Sequence, residues 1–302
     1  MASSAQEPLV NKNKSLQDYY TSLESRIGYR LVLGGTRHFG YYTPGTYWPF
    51  PIGKHLRAME DHLISSLALA KGSKILDAGC GVGHVAMHLA RKGYRVHGLD
   101  VVDHHVYKAK KHVKAAGLEG KVEISKGDYH HLESFADGSF DGAYTMETFV
   151  HATEPEVAAA EFFRVIRPGG SLVMNEYDHL DFETQSQEIS DSWTTINKYS
   201  SMPANARFVR GVLEGILQES GFEDIKVEDL SENILPMVRM FYILAFIPYT
   251  IISFLGLKAY FVNTVAGYES YAYRGPVRYI TVTAKKPLGP VEVKTGEGKK
   301  AR

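Results

Sequence analysis

Apolar and polar positions switch between two periods along the middle of the chain. Lys74–Ala78 (KILDA) is a short apolar run closed by glycines, the pattern of a strand buried on both faces. Val85–Lys92 follows at helical spacing. Arg95–Leu99 reads as a second strand and Val106–Ala116 as a lysine-rich helix stopped at Gly117. Val122–Ser125, Phe140–Met146 and Ser171–Glu176 read as further strands. The last two are separated by a helix over Glu156–Val165 and an Arg167-Pro168-Gly169-Gly170 turn. Arg207–Ser220 reads as a helix ended by Gly221, Ile225–Glu228 as a strand, and Arg278–Ala284 as a last strand with clean period-two alternation. Strands alternating with helices of about ten residues predict a doubly wound α/β sheet.

Met240–Gly256 breaks this pattern. It runs seventeen residues without a charge, with Pro248 near its middle and Arg239 and Lys258 at its flanks. Three readings compete: a helical cap over a lipophilic pocket, a monotopic helix dipping into a membrane, and a membrane span. The cap leads. The span is disfavoured because the last strand follows it, so the segment must fold back onto the same domain. The expected organisation is a disordered arm (1–18), an N-terminal helical and aromatic segment (19–70), a ligand-binding core (71–236), an apolar lid (237–277), the last strand (278–286) and a basic disordered tail (287–302).

Composition narrows the function classes. The 302 residues are 44% hydrophobic and 23% charged, with 34 basic and 34 acidic side chains, so a charge-dominated nucleic-acid surface is excluded. One cysteine excludes a disulfide framework and a cysteine metal cage. The polar N-terminus lacks the apolar stretch of a signal peptide, which predicts a cytoplasmic protein, with peripheral contact to an internal membrane as the variant. Nineteen tyrosines suit a pocket for an apolar ligand.

The strongest chemical signal is Asp77-Ala78-Gly79-Cys80-Gly81-Val82-Gly83, which follows a strand and opens a helix. Alternate glycines let the backbone approach a ligand at the carboxyl end of the first strand, where open α/β sheets bind nucleotides. Asp100 ends the next strand, where a carboxylate can accept both ribose hydroxyls. Dinucleotide sites usually read G-x-G-x-x-G. Here the glycines are spaced G-x-G-x-G, and Asp77 would repel a pyrophosphate but favour a cationic amino-acid headgroup. A nucleoside with a positively charged appendage, S-adenosylmethionine, fits that pattern. Cys80, His84 and Val101 flank the same two turns. Asp128 after the third strand could bond the adenine amino group with Tyr129 beside the ring, and Glu147 closes the fourth strand toward the methionine end. Asp128 could equally cap a helix, and Glu147 could be a solvated loop carboxylate.

Residues 19–284 resemble a class I S-adenosylmethionine-dependent methyltransferase, and most nearly the sterol C-24 type and related small-molecule C-methyltransferases. The resemblance is carried by ILDAGCGVG (75–83), VHGLD (96–100), KGDYHHL (126–132), SFDGAYTMETFVHA (139–152), RVIRPGGSLVMNEY (164–177) and ESGFEDIKVEDLSENILP (219–236). It implies a seven-stranded Rossmann-like sheet, S-adenosylmethionine as cofactor, and a lipophilic acceptor beneath an apolar lid. Two features depart from the sterol type. The aromatic segment 19–42 carries fewer acids, and Asp100 stands where asparagine is common.

Carbon methylation of an alkene needs aromatic faces and a carboxylate for the carbocation, then a base for the proton. Glu147, His151 and Glu176 are the catalytic candidates. His38, Tyr41, Tyr42, Tyr47, Trp48, Phe241 and Phe246 are the candidate substrate pocket. His151 could instead only position Glu147, and packing is favoured for His38. The pairs His104-His105 and His130-His131 are expected to be exposed, and no metal is expected. The leading reading is a methyltransferase acting, through carbon, on a terpenoid, sterol or polyketide. The alternative is a methyltransferase-fold pericyclase that keeps its S-adenosylmethionine intact. A homodimer is compatible with either.

Overall fold

The computed structural model describes residues 14–21 and 33–289. One mixed sheet runs through the molecule. Its strands are β1 (Lys74–Ala78), β2 (Arg95–Asp100), β3 (Val122–Lys126), β4 (Phe140–Met146), β5 (Ile166–His179), β6 (Glu223–Asp229) and β7 (Val277–Lys285). They lie in the order β3-β2-β1-β4-β5-β7-β6. The five strands from β3 to β5 are parallel, and β7 runs antiparallel between β5 and β6. The chain steps outward from β1 to β3, then returns to the other side of β1 with β4. That reversal opens a crevice at the carboxyl ends of β1 and β4.

The central strands are apolar on both sides because both sheet faces are covered. On one face α2 (Ile52–Leu67), α3 (His84–Arg91) and α4 (Asp103–Ala115) bury Met59, Leu63, Leu89 and Val113 against Ile75, Val96 and Val173. On the other, α5 (Pro155–Val165) and α7 (Val212–Glu219) bury Phe162, Val165 and Leu217 against Leu76, Leu172 and Val282. Each such side chain contributes about 1.5–3 kcal/mol of burial. The short helix α1 (Lys14–Thr21) lies over the crevice. α6 (Gln187–Tyr199) follows β5, and α8 (Ser231–Phe254) and α9 (Val262–Ala272) form an insertion between β6 and β7.

Several expectations need correction. The helix expected over Arg207–Ser220 begins only at Val212, because Gly211 at φ +93° caps it and Val209 bridges to His179. β5 starts at Ile166 rather than Ser171, and its pairing with β4 shifts register between Phe140 and Gly142. The arm expected through residue 18 is helical from Lys14, since Leu16 is buried against the crevice. Residues 1–13 and 290–302, holding the rest of that arm and most of the expected tail, lie outside the described residues. The apolar segment is helical but begins earlier, at Ser231, and holds both Pro236 and Pro248. Its first turns pack on Leu33, Tyr42 and Leu56 through Met237 and Met240.

Candidate active site

The crevice is built from strand ends. After β1 the chain turns so that the N–H groups of Gly79 and Cys80 both donate to the Leu99 carbonyl at the end of β2, at 2.8 and 2.9 Å. Gly79 has φ +93°, and a Cβ there would meet the Thr148 side chain at 2.7 Å, so only glycine fits this turn. A Cβ on Gly81, by contrast, would meet nothing within 4 Å.

Two aspartates stand on this wall with their carboxyls shifted in opposite directions. Asp100 accepts from the N–H groups of Gly81 and Val102, both at 2.8 Å, and lies 3.3 Å from His105 Nδ1. Burial opposes its charge, but His105 and the two N–H donors outweigh it and hold the carboxyl below its ordinary range. Asp77 is 3% exposed, and its Oδ2 has no hydrogen-bond partner. Burial, aided by the negative charges of Asp100 and Glu60 and opposed by Tyr144, pushes it up to about 7. A buried carboxylate with an unanswered oxygen on a cavity wall is a seat for a cation.

The remaining candidates separate into wall and framework. Asp128 accepts from the backbone N–H and the ring of His130, and these contacts outweigh burial and lower its carboxyl. The Tyr129 hydroxyl donates to the Thr148 carbonyl at 3.0 Å while its ring packs toward Phe149 and Phe162. Glu147, at φ +56°, accepts from Phe39 N–H (2.8 Å) and from the hydroxyls of Tyr177 (2.7 Å) and Tyr279 (3.0 Å). Burial raises its carboxyl in spite of these donors. His151 Nδ1 donates to the Ser201 carbonyl at 2.8 Å, so its Nε2 accepts from the Tyr20 hydroxyl at 2.9 Å. Burial drives it down to about 4, which keeps the ring neutral at pH 7. His84, lowered to about 4 by burial and then His112, and the thiol of Cys80, raised by burial, are on the same wall. His38 joins it too, bridging the Phe39 carbonyl (2.9 Å) and Glu60 (3.2 Å).

Other expected residues lie elsewhere. Glu176 is fully buried and does not line the cavity. Its oxygens take the N–H groups of Thr148, Phe149 and Val150 at 2.9–3.3 Å, so it shapes the turn after β4 rather than meeting a substrate. The aromatic pocket is also corrected. Tyr41 stacks on His62 and Tyr42 on His55, while Tyr47 and Trp48 are 59% and 66% exposed. Phe241 packs against Phe39, and Phe246 is half exposed. None of the residues lining the cavity comes from α8 or α9, so the apolar insertion is not its cap. The cover is α1, where Leu16 and Tyr20 face inward and the Gln17 side chain donates to the Val101 carbonyl at 3.0 Å. His105 and His130, expected at the surface, are buried against the two carboxylates they serve. Sequence reasoning also missed Arg37, whose guanidinium lies 4.6 Å over the Tyr20 ring. Gly83 caps α3 at φ +84° behind the wall. Among the described residues no His/Cys/Asp/Glu group is suited to a metal ion.

A second concavity of about 690 Å³ adjoins the first at Thr153. His179 and Phe182 stack in its wall at 3.9 Å, and Ser201, at φ +57°, joins it to the carbonyl that holds His151.

Residues 76–174 match the methyltransferase-domain family. An S-adenosyl-L-methionine-dependent Diels-Alderase of Talaromyces variabilis, iccD, is 45% identical over 91% of this chain and 95% of its own length. The chain belongs to the class I S-adenosylmethionine-dependent methyltransferase family. A second family member described as a Diels-Alderase, iliD of Neonectria sp. (strain DH2), is 41% identical over 74% of this chain and 89% of its own. The sterol 24-C-methyltransferase erg-4 of Neurospora crassa is 30% identical over 76% of this chain and 59% of its own. Among solved structures, the [4+2]-cyclase SpnF superposes with a TM-score of 0.72 at 25% identity, covering 91% of this chain and 97% of that one. The cavity fits the cofactor of this methyltransferase family. Asp77 offers an unanswered carboxylate oxygen for the ammonium group, Asp100 an ionised carboxylate for a ribose, and Gly81 open space beside both.

Proposed function

We propose that this methyltransferase-fold enzyme is a pericyclase, closing a ring by [4+2] cycloaddition within one lipophilic natural-product substrate while its S-adenosylmethionine stays intact. The observation that carries the reading is the 45% identity to a Diels-Alderase across nearly the whole of both chains. Carbon methylation, the leading expectation from the sequence, rests on relatives at 30% identity.

The chemistry of the cavity supports the same choice. Alkene methylation ends in proton loss and needs a base. His151 has both ring nitrogens engaged and is lowered to about 4, and Glu147 already answers three donors. A [4+2] closure moves no proton: three π bonds become two σ bonds and one π bond, and no atom enters or leaves. Such a reaction gains most from holding the diene and dienophile in one bonding geometry.

Asp77, Asp100 and Asp128 would hold the cofactor's ammonium, ribose and adenine. Bound there, it supplies a fixed positive charge beside the reacting chain. Arg37 adds a permanent cation on the same wall, Leu16 and Tyr20 exclude water from above, and the neutral His151–Tyr20 pair keeps its place without drawing a proton. The concavity beyond Thr153, with its stacked His179 and Phe182 rings, gives the rest of an extended substrate room against a flat face.

The test uses an acyclic polyene that carries a diene and an alkene dienophile, with cofactor stripped from the protein and then restored. The expected product is an isomer of unchanged mass, lost on stripping and regained on addition. A product heavier by one CH₂ would return the reading to methyl transfer.

A further inference from the structure

The outer half of α8 is bare. Ile243, Ile247, Ile251 and Phe254 recur at helical spacing on one face, and they are 58%, 70%, 53% and 91% exposed. Apolar rows of this size on a protein surface mark a docking site. We propose that this face seats the protein on an anionic lipid surface, with α8 lying in the headgroup plane rather than crossing the bilayer.

Three observations select lipid. First, no Asp, Glu, Lys or Arg occurs between Met240 and Leu257, and the one hydroxyl on the exposed face, that of Thr250, is turned back onto the Phe246 carbonyl of its own helix rather than offered to a protein partner. Second, the flanks are cationic and aromatic. At one end Arg239 donates to the Tyr47 carbonyl and lies 4.3 Å over the Tyr47 ring, beside exposed Trp48. At the other, Lys258 precedes Tyr260, which is 77% exposed. Lys258 pairs with the buried Glu269 at 2.9 Å, and that carboxylate also accepts from Tyr249 and Ser192. Indole, phenol and cationic groups at the ends of an apolar stripe match the headgroup layer, and the charge of Arg239, which rests on the neutral Tyr47 carbonyl and ring, matches anionic lipid. Third, α8 as a whole is long and apolar enough to cross a membrane, but its first turns are committed to the core at Met237 and Met240. The free stretch from Ile243 to Phe254 is about 18 Å long, short of the roughly 30 Å of a bilayer core.

The test floats the full chain with vesicles of phosphatidylcholine, alone or with phosphatidylserine, and follows tryptophan emission. Of the two tryptophans Trp193 is buried, so a shift on vesicle addition reports Trp48. The expected result is co-flotation and a blue shift with the phosphatidylserine vesicles, persisting at high salt. Ile247→Glu with Phe254→Glu should weaken binding by about tenfold or more while melting temperature and S-adenosylmethionine binding stay unchanged. Wild-type protein left in the dense fraction with both vesicle types overturns the proposal. So does a solution dimer that the double variant splits without any vesicle binding, which would assign the face to a second copy. Neither outcome depends on whether the enzyme cyclises or methylates.

Discussion

The strand ends of β1, β2 and β4 and the outer half of α8 are opposite answers to the question of what a surface is for. At the strand ends most buried polar groups have assigned partners: Asp100 with two N–H groups and His105, Glu176 with three N–H groups, Glu147 with three donors. The exceptions there include Asp77 Oδ2, His105 Nε2, and the Tyr144 and Thr145 hydroxyls on β4, and of these only Asp77 Oδ2 belongs to a carboxyl. On α8 the side chains are apolar and face water without a partner. An unanswered carboxylate oxygen in a largely bonded wall points to a small cationic ligand; a row of unanswered methyl groups points to a broad apolar one. The contrast can be broken at either end.

The largest effect is expected at the most over-determined group. Glu176→Ala strands three buried N–H groups and should cost about 3 kcal/mol, read from chemical denaturation, whereas Glu176→Gln keeps an acceptor and should cost about 1 kcal/mol. An equal loss in both would mean that packing, not hydrogen bonding, holds the turn after β4. Next comes Asp77→Asn, which should weaken S-adenosylmethionine binding by about 10–100-fold in a calorimetric titration and leave the apo protein as stable or more stable at pH 7. Unchanged affinity would sink the assignment of the seat.

The pH dependence sharpens the same point. The folded-state value of Asp77 lies above its unfolded one, so its contribution to apo stability is full below about pH 4 and is lost as pH rises toward about 7. A cationic ligand needs the ionised form. Affinity should therefore climb up to about tenfold per pH unit below 7 and level off above it. The smallest effect is on α8: Phe254→Ser, at an exposed site, should change stability by less than about 0.5 kcal/mol. A larger loss would mean that the face is covered in the native protein.

The two regions also differ in how far sequence carries. β1 matches its expected span because a short apolar run between glycines has few alternatives, and Asp77, Gly79 and Asp100 reach the crevice because strand ends in a doubly wound sheet must. Leu16, Tyr20 and Arg37 were not legible. They arrive from distant segments by tertiary docking, and nothing in their neighbours' types signals it. The N-terminal rings show the reverse error. Tyr41, Tyr42, Tyr47 and Trp48 have the chemistry of a lipophilic pocket, but aromatic content carries no direction, and the fold spends two on stacking against histidines and leaves two at the surface. Glu147 and Glu176 look alike in sequence at neighbouring strand ends. Only the turn between them decides that one lines the cavity and the other braces it. The apolar run 240–256 was legible as a helix, with the pocket cap favoured over a helix dipping into a membrane, because hydropathy cannot tell a helix covering a pocket from one awaiting a surface.

The most direct test of the central claim follows the methyl group. Protein is loaded with methyl-labelled S-adenosylmethionine and taken through many turnovers of an acyclic diene–dienophile substrate, after which both cofactor and product are recovered. The account predicts cyclised product of unchanged mass, the label still on S-adenosylmethionine and no S-adenosylhomocysteine formed. Label in the product, with one S-adenosylhomocysteine for each molecule converted, would contradict it.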